Sequence, residues 1–229
     1  MTEMDVHKLT IGIIGGTGKE GKGLAYRWAK TGHRIIIGSR QEEKALKAAE
    51  DVNNLLGSKL VEGSLNEAAA SQADLVVLTV PYTAHIDMCH LIKPYIQGKV
   101  IIDVTVPIVP PKVTLVQLPP EGSAAQQAQA IFGDDVQVVS AFQNIAYEHL
   151  LNNEPIACDV LVTGGKKETR MLVIDLIEEI GLTAWNAGPI ANSVVAEGLT
   201  SILIGLNKQF GVESSGIQIT GINRKSQNY

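Results

Sequence analysis

Long apolar runs, positive charge and cysteine are what this sequence has least of. No apolar stretch approaches the ~20 residues that cross a bilayer, and Met1 to Lys8 is polar and acidic, without the form of a secretory signal. Neither a membrane protein nor an exported one is expected, and the chain reads as cytoplasmic. Lysine and arginine number 19 against 24 aspartates and glutamates, a net charge of −5, which gives no bulk attraction to nucleic acid. The two cysteines, Cys89 and Cys158, stand far apart without metal-ligand spacing, so reduced and buried thiols are expected. His7, His33, His85, His90 and His149 form no cluster with Asp or Glu at metal spacing, and no metal site is expected.

With 229 residues, 45% of them hydrophobic, the chain can hold one domain of ordinary size and a smaller appendage. Its organising stretch is Leu9 to Gly21, LTIGIIGGTGKEG. Leu9 to Ile14 reads as a buried strand, and Gly16-Thr17-Gly18-Lys19-Glu20-Gly21 fits G-x-G-x-x-G at the entry to a helix. Gly16 is expected to permit the tight turn, Gly18 to let the backbone approach a pyrophosphate, and Gly21 to let the helix lie close on the strand. About twenty residues on, Arg34 to Gly38 reads as a second strand ending in Ser39-Arg40. An acid at that point would accept from the ribose 2′-OH of NAD. Ser39 and Arg40, with Lys44 one helical turn further, suit the 2′-phosphate of NADP instead.

Downstream, helical composition from Gln41 to Leu56 ends at Gly57, Lys59 to Glu62 reads as a third strand, and Asn66 to Ala70 as a helical turn. Asp74 to Val80 is apolar on both faces, as a central parallel strand would be. A helix over Thr83 to Ile96, a strand over Val100 to Val104, a proline-rich loop through Pro120, a helix over Ser123 to Phe132 and a strand over Val136 to Ser140 follow. This alternation predicts a Rossmann-type α/β fold, a doubly wound parallel sheet with right-handed crossovers, over residues 1–151. Residues 152–229 read as a small C-terminal α/β lobe: a strand over Cys158 to Thr163, a helix over Lys166 to Ile180, a strand over Leu182 to Trp185 and an apolar helix over Val194 to Leu206. That lobe cannot bury its last helix alone, so a homodimer is expected. Met1 to Lys8 and Arg224 to Tyr229 are expected to fray.

A reductase of alcohols or ketones needs a proton donor beside the substrate oxygen, and neither a His–Asp nor a Tyr–Lys pair is legible here, so no catalytic acid is assigned. Hydride transfer between two heteroaromatic rings has less need of one, because the cofactors carry the chemistry and the protein supplies alignment. Thr79, Val80, Pro81 and Tyr82, then Val106 and Pro107, then Ala141 to Tyr147 follow strand ends where such rings would be lined.

The motifs GGTGKEGKGLA, GSRQEEKA, LTVP, DVTVP, EGSAA, VVSAFQNI, AGPIANS with Glu197, and a terminal GIQIT strand together resemble those of the F420-dependent NADP reductases. The resemblance spans Leu9 to Ile222. It implies NADP(H) and coenzyme F420 as cofactors and substrates, and a homodimer. It further implies that Thr17, Gly18, Lys19, Glu20, Ser39, Arg40 and Lys44 hold NADP, that Val80, Pro81 and Val106 flank its nicotinamide half, and that Gln143, Asn144 and Ile145 approach the deazaflavin. Some relatives carry His in place of Gln143 and Arg in place of Val194, differences confined to the second site. The competing readings are an NADPH-dependent flavin, ferric or imine reductase on the same scaffold, and a non-catalytic NADP-sensing module.

Overall fold

The computed structural model describes residues 8–151 and 155–222. The two chain ends expected to fray lie outside these residues apart from Lys8, as does His7, and residues 152–154 at the expected domain boundary are outside them too. In chain order the elements are β1 (Thr10–Ile14), α1 (Lys19–Lys30), β2 (Arg34–Ser39), α2 (Glu42–Leu56), β3 (Val61–Leu65), α3 (Asn66–Gln72), β4 (Leu75–Leu78), α4 (His85–Ile92) and β5 (Val100–Asp103). They continue with α5 (Ala124–Phe132), β6 (Gln137–Ser140), β7 (Asp159–Gly164), α6 (Lys167–Glu179), β8 (Thr183–Gly188) and α7 (Ser193–Phe210).

One sheet takes all eight strands of the described residues in the order β3-β2-β1-β4-β5-β6-β7-β8. β1 to β6 pair in parallel, and the order turns back between β1 and β4, which is the topology of a doubly wound nucleotide-binding sheet. β7 runs antiparallel to β6, and the described residues of the connection between them form no crossover helix that would bring the chain back to the starting edge. β8 pairs in parallel with β7 across α6, so the C-terminal strands extend the first sheet.

Strands apolar on both faces need cover on both. Trp28 of α1, Val52 of α2 and Ile177 of α6 pack with Ile13, Ile35 and Val160 on one face. Ala69 of α3, Ile92 of α4 and Phe132 of α5 pack with Ile14, Val76 and Val138 on the other. Trp28 is fully buried and its indole N–H donates to Leu176 O at 2.9 Å, tying α1 to α6 on the same face of the sheet.

Several boundaries differ from the sequence reading for local reasons. The third strand begins at Val61 because the Asn53 side chain of α2 bonds both backbone groups of that residue, at 2.7 and 3.0 Å. The helix expected over residues 83–96 is shorter: 3-10 turns occupy Tyr82–Ala84 and Lys93–Tyr95, the latter at Pro94, which has no N–H to give the ladder. The GIQIT segment, expected as a strand, forms no ladder. Asp159 N–H donates to Ile217 O at 2.8 Å, but Ile219 N–H turns to the Asp159 carboxylate at 2.7 Å and Ile217 N–H to the Cys158 thiol at 3.4 Å.

The last helix corrects the expectation that no stretch is long enough for a bilayer. Ile190–Phe210, with mean hydropathy 1.3, passes that test by length and composition. A single weakly apolar helix does not indicate a membrane protein, and this one turns Ser193, Ala196, Glu197, Ser201 and Leu203 onto the rest of the chain. Its other face leaves Val195 67% and Phe210 68% exposed, with Ile202 and Leu206 between them.

Candidate active site

The carboxyl ends of β1, β2 and β4 open into a cavity of about 650 Å³, lined by the glycine turn after β1, by Ser39, Arg40 and Lys44, and by Val80, Pro81 and Tyr147. The turn is built differently from the sequence reading. Its left-handed residue is Gly15, at φ +70°, where a Cβ would stand 2.5 Å from Val80 Cγ1. Gly16 contributes closeness instead: its N–H donates to Gly38 O at 3.0 Å, and a Cβ on Gly21 would lie 2.5 Å from its Cα. Gly18, at the N-terminus of α1, faces open space, with nothing within 4 Å of where a Cβ would be. No side chain among the described residues caps α1. A phosphate can therefore approach the helix N-terminus closely, as the dinucleotide reading requires.

At the far end of the cavity Ser39 is buried, and its hydroxyl oxygen accepts from Gln41 N–H at 3.2 Å, which leaves the O–H to donate outward. Arg40 and Lys44 are exposed and form no ion pair with any described residue. One lining residue escaped the sequence reading. Asn66, the first residue of α3, accepts from Gly15 N–H at 3.1 Å, while its buried Nδ2 has no partner among the described residues. A buried donor left unmatched is costly, and this one lines the cavity; the signal in the sequence was only an asparagine at a helix start.

A second cavity, about 400 Å³, continues from the first. Glu20, Val80 and Pro81 line both, and Tyr82, Thr105, Val106, Ile108 and Pro110 close the second. Glu20 is half-buried as a residue, yet its carboxyl is crowded, and that desolvation pushes its pKa up to about 8. Tyr147, from the loop after β6, bends over the first cavity, where Lys19 Nζ lies 3.5 Å from its hydroxyl and 4.9 Å from its ring centre. A larger hollow, about 810 Å³, opens between α2 and β3, away from the glycine turn and from the sheet edge where ligands bind in such folds.

Gln143, Asn144 and Ile145 line neither cavity. All three are buried: Gln143 Nε2 donates to Asp103 O at 2.7 Å, and Asn144 Nδ2 donates to Asp159 O at 2.6 Å. They join β5, β6 and β7 behind the cavities. Phe142 beside them holds φ +74°, costly for a bulky residue, and its ring meets Trp28 edge-on at 5.7 Å.

The sequence offered no His–Asp or Tyr–Lys pair, and the fold supplies both. Besides Lys19 and Tyr147, the fully buried His85 of α4 contacts the Asp103 carboxylate of β5 through Nε2 at 2.8 Å. Burial opposes charging this imidazole, but Asp103 outweighs it and holds the pKa up to about 11. The other oxygen of Asp103 accepts from Thr105 N–H at 2.9 Å, and Tyr82 stacks on His85 at 6.2 Å. Both walls of the second cavity thus lean on one buried pair, which itself lines neither cavity. Nearby, the Glu197 carboxyl of α7 accepts from Ala124 and Ala125 N–H at 2.6 and 3.1 Å, at the start of α5. Burial and the Asp103 charge raise its pKa to about 8. Among the described residues no group of His, Cys, Asp or Glu is arranged to hold a metal ion.

Comparison with known proteins agrees with this geometry. Residues 10–107 match the family described as NADP oxidoreductase, coenzyme F420-dependent. The chain is 37% identical over 223 residues to the F420-dependent NADP reductase of Methanocaldococcus jannaschii, covering 93% of this chain and 99% of that protein. It is 40% identical to the F420-dependent NADP reductase of Methanothermobacter thermautotrophicus, covering 93% and 96% of the two chains. A solved structure from Arthrobacter sp. FB24 superposes with a TM-score of 0.80 at 23% identity, over 93% of this chain and 99% of that one, a likeness of fold. With near-complete coverage at this identity, and a glycine turn and cavity of the required form, the chain belongs to the coenzyme F420-dependent NADP oxidoreductase family.

Proposed function

We infer that this chain is an NADPH-dependent F420 reductase, passing a hydride reversibly between NADPH and the deazaflavin coenzyme F420. The observation that carries the reading is 37–40% identity, over nearly the whole chain, to F420-dependent NADP reductases. When bound, the nicotinamide and deazaflavin rings supply the hydride chemistry. The chain binds and aligns them. Thr17, Gly18, Lys19, Glu20, Ser39, Arg40 and Lys44 hold NADP(H), the last three at the 2′-phosphate, and Val80, Pro81 and Val106 flank the nicotinamide half. The support for these roles is that all but Val106 line the first cavity, and Val106 lines its continuation. Gly16 shapes the turn from below, and Gln143, Asn144 and Ile145 set the deazaflavin side from behind the wall.

Residues 1–151 act as the NADP-binding part, and residues 152–229 complete the deazaflavin site and the dimer contact. The exposed apolar face of α7, Val195, Ile202, Leu206 and Phe210, supports a homodimer. Two free, buried cysteines agree with the cytoplasm, and a net charge of −5 with an interaction with neither nucleic acid nor membrane. Mixing the purified chain with NADPH and F420 and following the oxidised deazaflavin's absorbance tests the reading. Loss of that absorbance is expected; tight NADPH binding with no turnover of F420, or faster turnover of FMN or a cyclic imine, would replace it.

A further inference from the structure

Among the described residues, Glu20 is the one carboxyl that lines both cavities. It stands in the first turn of α1, past the phosphate turn, and shares its position between the cavities with the apolar Val80 and Pro81. With the adenosine phosphate at Arg40 and the pyrophosphate at Gly18, the nicotinamide end of the cofactor reaches this junction. The inference rests on that reading of the cavities. The Glu20 carboxyl forms no hydrogen bond or ion pair with any described residue. The ionisable groups around it are Lys19, Arg40, Lys44 and Tyr147 in the first cavity and Tyr82 in the second. His85 and Asp103 lie buried behind the wall, with Glu197 beyond them. Burial raises the pKa of the Glu20 carboxyl. A carboxyl with no partner, crowded by protein at a ligand's reactive end, responds to whatever charge that ligand brings.

The nicotinamide ring changes charge with redox state: the reduced ring is neutral and the oxidised ring is cationic. We propose that Glu20 reads this charge, staying protonated beside the reduced ring and ionising beside the oxidised one, so that NADP+ and a proton compete for the enzyme. The linkage has a fixed sign. A cation lowers the pKa of the acid next to it, so NADP+ binds more tightly as pH rises through the carboxyl's range, while NADPH gains nothing. The 2′-phosphate titrates alike in both forms of the cofactor and cancels when the two are compared.

Dissociation constants of NADP+ and NADPH between pH 6.5 and pH 9.5, read from NADPH fluorescence and its displacement by NADP+, test the proposal without any turnover. For the native chain the ratio Kd(NADP+)/Kd(NADPH) is expected to fall about tenfold across this range, one unit of pKa difference between the two complexes. For Glu20→Gln, which keeps the shape and removes the titration, the ratio stays flat. A second measurement needs no variant: calorimetry in two buffers of different ionisation enthalpy at pH 7.5 should find more protons released on NADP+ binding than on NADPH binding. A flat ratio in the native chain, the same slope in Glu20→Gln, or equal proton counts for the two cofactors would overturn the role of Glu20 and leave the cofactor reading standing. Failure of both cofactors to bind at any pH would overturn that reading, and the proposal with it.

Discussion

Glu197 is expected to make the stability of this protein fall as pH rises. Its carboxyl is fully buried, bonded to the first two N–H groups of α5, and keeps its proton in the folded state up to about 8, against an ordinary value of 4.5. In the unfolded chain the same group ionises near 4.5. Between these values the folded state binds more protons, so stability is whole below about pH 4.5 and is lost as pH climbs through 8. At about 1.4 kcal/mol per pKa unit, the loss reaches at most about 5 kcal/mol, a large share of the stability of a domain. His85 acts in the same sense in a higher window. Its imidazolium persists in the fold to about 11, while the unfolded residue deprotonates near 6.5, so its contribution fades from about pH 6.5 to 11. The variant Glu197→Gln removes the first dependence and keeps the second. It also replaces one acceptor oxygen by a donor, costing about 1–3 kcal/mol at acid pH through an unmatched backbone N–H. Urea unfolding at fixed protein concentration, followed by the fluorescence of the buried Trp28 and Trp185, gives both curves. Between pH 5 and 8 the native chain should lose at least about 2 kcal/mol more than the variant, and above pH 8 the two curves should run parallel. Parallel curves from pH 5 upward would refute the claim that this carboxyl is folded in its neutral form.

Three further outcomes follow from the geometry. Arg40→Ala should weaken NADPH binding by about 1.5–3 kcal/mol, with little change for NADH, in a fluorescence titration; equal losses would mean that Arg40 does not meet the 2′-phosphate. Asp103→Asn leaves His85 buried without its anion and should cost about 3–5 kcal/mol of unfolding free energy, with the midpoint of thermal unfolding lowered accordingly. If α7 forms the proposed dimer contact, light scattering should report a dimer for the native chain and a monomer for the paired variant Val195→Asp and Phe210→Asp, which puts charge on the exposed apolar face of that helix.

Much of the fold could be read without coordinates, because its cause is local. Apolar runs such as DLVVLTV, bounded by glycine and proline and alternating with helical segments, leave a twisted parallel sheet as the arrangement that covers both faces. The lining of the first cavity was equally legible: a glycine turn and a serine–arginine–lysine set lie within two βα units, so their meeting is settled by short connections. The shift of the left-handed turn from Gly16 to Gly15 was beyond such reading, since it depends on Val80 crowding the turn from β4. So was Asn66, whose amide reaches the turn only after α3 has packed beside β1.

The absence of an acid–base pair was true of the sequence and untrue of the molecule. His85 and Asp103 are separated by a helix end, a loop and a strand, and Lys19 and Tyr147 by most of the sheet; nothing in their spacing announces a contact. By itself the amino-acid sequence determined most of the strands and helices, though not the fate of the GIQIT segment, and with them the class of sheet they build and the cofactor the fold accepts, because propensity, periodicity and turn chemistry act over a few residues. Only the tertiary structure decided that the Glu20 carboxyl would bridge two cavities, that an ion pair would stand buried behind them, and that α7 would turn Glu197 inward and leave its apolar side bare. Those outcomes depend on desolvation and on partners distant in the chain, which take values only when the layers have closed.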